Sequence, residues 1–145
     1  MQIIDITDAE GRVVESEWLA RAERVHRELR PQIPPLYADS LGRVFAGGGR
    51  MIVAVDQDAV LGAAVFRVYD NTAARRKLYV DDLVVGEAAR SRGIGRTMLE
   101  RLESEARRLG CTVIELESGT QREGAHRFYF RAGYTIHTFG FTKAL

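Results

Sequence analysis

The stretch Val84-Val85-Gly86-Glu87-Ala88-Ala89-Arg90-Ser91-Arg92-Gly93-Ile94-Gly95-Arg96 reads as the end of a strand, a glycine-bearing turn and the first turn of a helix. Before it, Leu78–Val85 is a run of apolar and β-branched residues, the mark of a strand. After it, Ile94, Met98, Leu102, Ala106 and Leu109 recur three or four positions apart, one apolar stripe on a helix. Gly110 stops that helix as a C′ glycine does, and Thr112–Leu116 is the next strand. Strand, helix and strand make one right-handed crossover, so these two strands are parallel. At the helix start, free backbone N–H groups converge and the helix dipole adds partial positive charge. Gly93 and Gly95 carry no side chain to keep an anion away, and Arg90, Arg92 and Arg96 offer guanidinium donors round the same point. A pyrophosphate is the guest such a turn suits.

Two other readings of the glycines compete. In one they only allow a tight turn to pack, with arginines in solvent. In the other they begin a dinucleotide fingerprint, G-x-G-x-x-G. The third glycine position is then Met98, and Gly93 follows long after the strand ends at Val85, although Glu115 and Glu117 fall about twenty residues on. The Walker pattern fails, because no Lys-Ser/Thr pair follows the glycines.

Outward from this unit, the N-terminal half reads as a strand at Gln2–Ile6 and a helix with Trp18, Ala22, Val25 and Leu29 on its buried face. Pro31, Pro34 and Pro35 end that helix and open a second from about Leu36 to Ala46, closed by Gly47–Gly49. Met51–Val55 and Val60–Tyr69 form an antiparallel hairpin about a tight Asp-Gln-Asp turn, and Asp70–Arg75 reads as a polar loop. Beyond Leu116, a helix holds Ala125, Phe128, Tyr129 and Ala132 on one face, Gly133 ends it, and Tyr134–Leu145 reads as a long terminal strand. The class is α/β, or α+β by some conventions, because the hairpin makes the sheet mixed.

The chain has 145 residues, one domain by length, with 21 Lys+Arg against 20 Asp+Glu and a net charge of +1. Such balance argues against a dedicated nucleic-acid binder. A single cysteine, Cys111, rules out an internal disulfide and suits the cytoplasm. No signal peptide is read in MQIIDITDAEGR, and the apolar run Val60–Phe66 is far short of the ~20 residues that span a bilayer, so no membrane role is expected. His26, His126 and His137 lack metal-ligand spacing, so no metal is expected; His26 reads as helix surface. Cys111 and Trp18 read as core residues, and Arg75-Arg76-Lys77 as a solvated basic run.

Arg90-x-x-Gly93-x-Gly95 resembles the Q/R-x-x-G-x-G/A motif of the GNAT superfamily of acetyl-CoA-dependent N-acetyltransferases. The strand before it, the helix after it, and Phe128-Tyr129-Phe130-Arg131-Ala132-Gly133-Tyr134, similar to the family's F-Y-x-x-x-G-F/Y, strengthen the resemblance. The ending AHRFYFRAGY…FTKAL is similar to that of bacterial aminoalkylphosphonate N-acetyltransferases. The resemblance implies a mixed, twisted sheet of six to seven strands flanked by about four helices, with two parallel strands splayed at the cofactor cleft, all within one domain, residues 1–145. It implies acetyl-CoA as cosubstrate, with the pantetheine arm on the main chain of Leu83, Val84 and Val85. The pyrophosphate would lie on Arg90, Ser91, Arg92, Gly93, Ile94, Gly95 and Arg96.

The resemblance also suggests roles in the chemistry. Tyr129 matches the tyrosine that many members place beside the thioester sulfur, where a phenol of pKa ~10 can protonate the leaving thiolate. A core role for Tyr129, on one face with Phe128, is the other reading. The acceptor amine must lose a proton, and Asp81, Asp82 or Glu117 could take it. Alternation sends Asp81 and Asp82 to opposite faces of the strand, with Asp81 sharing the face of Leu83 and Val85, so one of the two would meet the substrate. Some members carry glutamate where Tyr79 stands, and many carry asparagine where Arg122 stands, so these two positions depart from the pattern. The expected acceptor is a small-molecule primary amine, with a protein amine, or a non-catalytic acyl-CoA-binding module, as alternatives. A homodimer is compatible with the family.

Overall fold

The structure, a computed structural model, describes residues 1–145. In chain order it contains β1 (Gln2–Asp5), α1 (Ser16–Leu29), α2 (Tyr37–Ala46), β2 (Gly49–Asp56), β3 (Ala59–Asn71), β4 (Arg75–Val85), a 3-10 turn (Glu87–Ala89), α3 (Ile94–Arg108), β5 (Val113–Leu116) and α4 (Glu123–Arg131). The chain divides into two compact units, Met1–Glu115 and Leu116–Leu145.

In the first unit the strands lie in the order β1-β2-β3-β4-β5. β1 through β4 pair antiparallel in succession. The hairpin between β2 and β3 closes on Gln57 and Asp58, where Gln57 takes a φ of 52° and Asp56 pairs with Ala59. β4 starts at Arg75, three residues before the sequence expectation, so the Asp70–Arg75 loop is reduced to a hairpin tip. Asn71 Oδ1 builds that tip by accepting the amides of Ala73 at 3.1 Å and Ala74 at 2.8 Å, a local turn that periodicity does not reveal. The basic run therefore lies in the strand, where Lys77 pairs with Glu115 at 2.7 Å and Arg76 with Asp70 at 2.9 Å.

The sheet is covered on both faces. On one, Leu19, Ala22 and Val25 of α1 and Tyr37, Leu41 and Phe45 of α2 pack on Met51, Val53, Val55, Ala63, Val65 and Val84, with Trp18 and Leu29 half-buried at the margin. On the other lie Ile94, Met98, Leu99, Leu102 and Ala106 of α3, all buried. Gly62 lets α3 approach: a Cβ there would stand 2.8 Å from the Met98 sulfur. His26, expected on the helix surface, is instead 2% exposed. It lies on α1's inner face because Leu19, Ala22, His26 and Leu29 follow helical spacing, and its two ring nitrogens find polar partners there.

The second unit holds α4 and the segment that follows. Ala125, Phe128, Tyr129 and Ala132 are half-buried on one face of α4, as the spacing requires. The expected strand at Tyr134–Leu145 does not form, and the sheet has five strands rather than six to seven. The aromatic and β-branched residues of that segment favour a strand, but a strand exists only with a ladder partner. Here Ile136, Phe139 and Phe141 are exposed, and Gly140 interrupts the run.

Candidate functional site

α3 begins without a side-chain cap. Its N-cap is Gly93, held at φ 77° and ψ 0°, and its first turn carries no acidic residue. The first intrahelical bond is the Thr97 amide to Gly93 O at 3.1 Å, so the amides just before it have no carbonyl of their own helix to meet. A Cβ built on Gly93 would find nothing within 4 Å. Glycine is therefore required for its left-handed backbone and not for close packing. Ser91, at φ 63°, tightens the same turn.

Arg90, Arg92 and Arg96 are all exposed around this turn. Arg90 Nε lies 3.4 Å from Val85 O, Arg92 stands 3.8 Å from Asp56, and Arg96 Nε reaches Glu100 at 2.9 Å. Ile94 and Val84 point into the core, while Leu83 and Val85 face the other way from Val84 and pair with Ala64 and Gly62 of β3. β4 is eleven residues long and β5 four. The Thr112 amide, just before β5, bonds Arg76 O at 2.9 Å, so β5 reaches only about as far as Val80. The main chain of β4 from Asp81 to Val85 runs on past it. With its open amides and surrounding cations, the turn suits a diphosphate, and the length of β4 beyond β5 suits an amide-bearing chain.

Asp81 and Asp82 do not fall on opposite faces. Phe66 pairs with Val80 and Val65 with Asp82, which leaves Asp81 as the extra residue of a β-bulge. The bulge resets the alternation. Tyr79 and Asp81 share the α1/α2 face with Arg67, and beyond the bulge Asp82 and Val84 take that face too. Leu83 and Val85 lie on the opposite face, so Asp81 does not share a face with them.

Both aspartates line one cleft of about 340 Å³, walled by Leu41 and Val44 of α2 and Val65 of β3, with Arg30 and Arg67 beside them. Arg67 Nε donates to Asp81 Oδ2 at 2.8 Å and its Nη1 to Gly47 O at 3.3 Å. Arg30 Nε donates to Asp82 Oδ1 at 2.6 Å, with Nη2 on Asp81 O at 3.2 Å. His26 Nε2 meets Asp82 Oδ2 at 2.9 Å, and its Nδ1 meets Tyr37 Oη at 3.0 Å. Burial pulls the Asp82 carboxyl up, but the hydrogen bonds from His26 and Arg30 outweigh it and hold the group below the usual carboxylate range. Burial pushes the Tyr37 phenol far up, so it stays protonated.

The Asp82 contacts set an expected stability change. Asp82→Ala leaves the buried His26 N–H and Arg30 without their acceptor, and should cost about 1–3 kcal/mol at neutral pH. The lowered native pKa fixes the sign. Asp82 stabilises the fold above the ordinary carboxylate pKa, and that stabilisation disappears as pH falls through the native value. Urea titrations of both proteins at a series of pH values measure the difference, which should shrink on acidification.

In the second unit, burial raises the Tyr129 phenol above its ordinary value and Arg122 acts against the rise. Its ring stands 5.2 Å from that of Phe128 and 5.9 Å from that of Tyr134. Arg122 is the exposed N-cap of α4. His126 Nε2 is bonded to Gly119 O at 2.8 Å. Glu117 lies against the tail, where a Cβ on Gly140 would be 3.4 Å from its carboxylate.

The sequence singles out the glycine turn, Asp81, Asp82 and Tyr129 as candidates. It does not single out His26 or Arg30. The spacing of His26 from Ala22 and Leu29 was the available signal, hidden by a residue type that also suits a surface.

Residues 13–134 match the model of the GNAT family of acetyltransferases. The chain is 34% identical over 119 residues to an acetyltransferase of Agrobacterium fabrum, covering 80% of this chain and 77% of that protein. It is 35% identical over 94 residues to an uncharacterised N-acetyltransferase of Bacillus subtilis, covering 54% of this chain and 66% of the other. It is 44% identical over 66 residues to the aminoalkylphosphonate N-acetyltransferase of Salmonella typhimurium, covering 46% of this chain and 43% of that protein. Among solved structures, an acetyltransferase of Trypanosoma brucei superposes with a TM-score of 0.78 at 22% identity, covering 99% of this chain and 100% of that one, and so shares the fold. The family match spans most of the chain, from before α1 to the end of α4, and the chain belongs to the GNAT family of acetyltransferases.

Proposed function

We propose that this chain, acting as one domain, transfers an acetyl group from acetyl-CoA to the primary amine of a small molecule, by direct attack with both substrates bound. The observation that carries the reading is the bulged Asp81–Asp82 pair, which lines a cleft on the same strand that leads into the Gly93 turn. Acetyl-CoA is the family's general cosubstrate. Backbone amides and side chains of Arg90, Ser91, Arg92, Gly93, Ile94, Gly95 and Arg96 would hold its diphosphate, and the main chain of Leu83, Val84 and Val85 its pantetheine arm. When bound, it supplies an acetyl group already activated as a thioester.

The chain's own residues then handle protons. An amine of pKa ~10.4 is neutral in about one molecule in several thousand at pH 7, a penalty of ~4.6 kcal/mol. Asp81 and Asp82 attract the ammonium, and Asp81, held by Arg67 through one oxygen, takes up the proton at the other. Tyr129, kept protonated by its burial, returns a proton to the departing sulfur. Arg30 and Arg67 each spend two nitrogens on anchoring contacts, which leaves one Nη edge of each for an anionic group on the acceptor. An aminoalkylphosphonate, the substrate class named for the Salmonella relative, fits that combination of charges. The lone Cys111 suits the reducing cytoplasm as the site of action.

The test mixes the protein with acetyl-CoA and a panel of amines while free thiol is followed. Turnover with 3-aminopropylphosphonate exceeding that with propylamine is the expected result. Acetyl-CoA binding without thiol release on any amine would make the chain a non-catalytic acyl-CoA-binding module and overturn the proposal.

A further inference from the structure

His26 is a buried titratable group that the proton transfers above do not use. It is 2% exposed, and both of its ring nitrogens are engaged. Asp82, as a carboxylate, needs a donor on Nε2, so the ring carries its proton there. In that tautomer of the neutral ring Nδ1 is the acceptor for the Tyr37 hydroxyl, 3.0 Å away. Around the same carboxylate, Arg30, the C-cap of that helix, donates to Oδ1, while Arg67 donates to Asp81 and to Gly47 O. Three elements, α1, α2 and β4, thus converge on fixing the plane of one carboxylate at the cleft.

A carboxylate that receives two strong donors is stabilised as the anion. That makes it a poor proton acceptor and a good fixed counter-charge for a cation. We propose that His26, locked by Tyr37, is a positioning residue that fixes Asp82 as a permanent anchor for the acceptor's ammonium group. Asp82 and Asp81 therefore divide the work, one holding the cation and the other accepting its proton. The inference rests on the acetyl-transfer reading, and the experiment keeps the two apart.

The amide of His26→Gln carries an N–H into the region where Nε2 stood, while His26→Leu removes the donor. His26→Leu is expected to raise KM for 3-aminopropylphosphonate about tenfold, the worth of a hydrogen bond to a charged group, with kcat and KM for acetyl-CoA near those of the parent. His26→Gln is expected to recover most of that loss. Tyr37→Phe, which frees the tautomer without changing the packing volume much, should raise the same KM by a smaller factor, and it serves if His26→Leu does not fold. A fall in kcat with KM unchanged would make His26 and Asp82 part of the proton path and overturn the proposal. So would parental constants in His26→Leu and Tyr37→Phe. If the parent protein turns over no amine, the acetyl-transfer reading fails by itself. Calorimetric titration with 3-aminopropylphosphonate then reads the anchor directly: weaker binding in the two variants supports it, and equal binding overturns it.

Discussion

Gly93→Val is expected to weaken acetyl-CoA binding about tenfold to a hundredfold, read by calorimetry, while circular dichroism shows the fold intact. Two effects act together. At φ 77° a residue with a Cβ is strained, by about 1–2 kcal/mol for an ordinary side chain. Valine, branched at Cβ, is stiffer still and pulls the turn toward a different backbone. The new side chain also occupies open space next to the turn, where a Cβ meets no atom within 4 Å. Any anion gripped by the first-turn N–H groups loses its closest contacts. Arg92→Glu should add to the loss, most strongly at low ionic strength, because Arg92 is exposed and its charge is screened by salt. Unchanged affinity in both variants would remove the diphosphate from this turn, and with it the acetyl-transfer reading.

Tyr129→Phe is expected to lower kcat about a hundredfold or more, the usual scale for a positioned general acid, with both KM values little changed. Phenylalanine keeps the ring and its contacts with Phe128 and Tyr134, so the packing of α4 survives. The pH profile makes the assignment specific. Burial raises the phenol's pKa, so it remains protonated across the neutral range. An acid works in its protonated form, so the parent's rate should fall only as pH rises beyond the ordinary tyrosine value of ~10. In the variant that alkaline limb should be absent. A variant that retains the full rate would return Tyr129 to the role of a core aromatic.

The boundary between what sequence decides and what the fold decides runs through particular residues. Gly93, Ile94 and the stripe Met98–Leu102–Ala106 were legible because a helix start and a helix face are local, spread over one or two turns. The hairpin at Gln57-Asp58 and the half-buried face of α4 were legible for the same reason. Asp81 and Asp82 were visible as residues, but their shared face was not. The bulge that creates it exists only in the pairing of β4 with β3, where Val80 and Asp82 meet adjacent partners. The terminal segment gave a false strand because β-propensity reports a side chain's fit to a sheet and cannot supply the neighbouring strand.

His26 shows the limit most clearly. Helical spacing put it on the inner face of α1, yet whether that face offered water or partners depended on Tyr37 eleven residues away and Asp82 fifty-six away. The sequence by itself determined the order of strands and helices from β1 to α4 and the glycine start of α3, since each follows from dihedral preference or periodicity within a few residues. Only the tertiary structure decided that both carboxylates face one cleft and that a buried histidine holds one of them. Strand register and hydrogen-bond partnership are relations between distant segments, and they acquire a value only once the chain has folded.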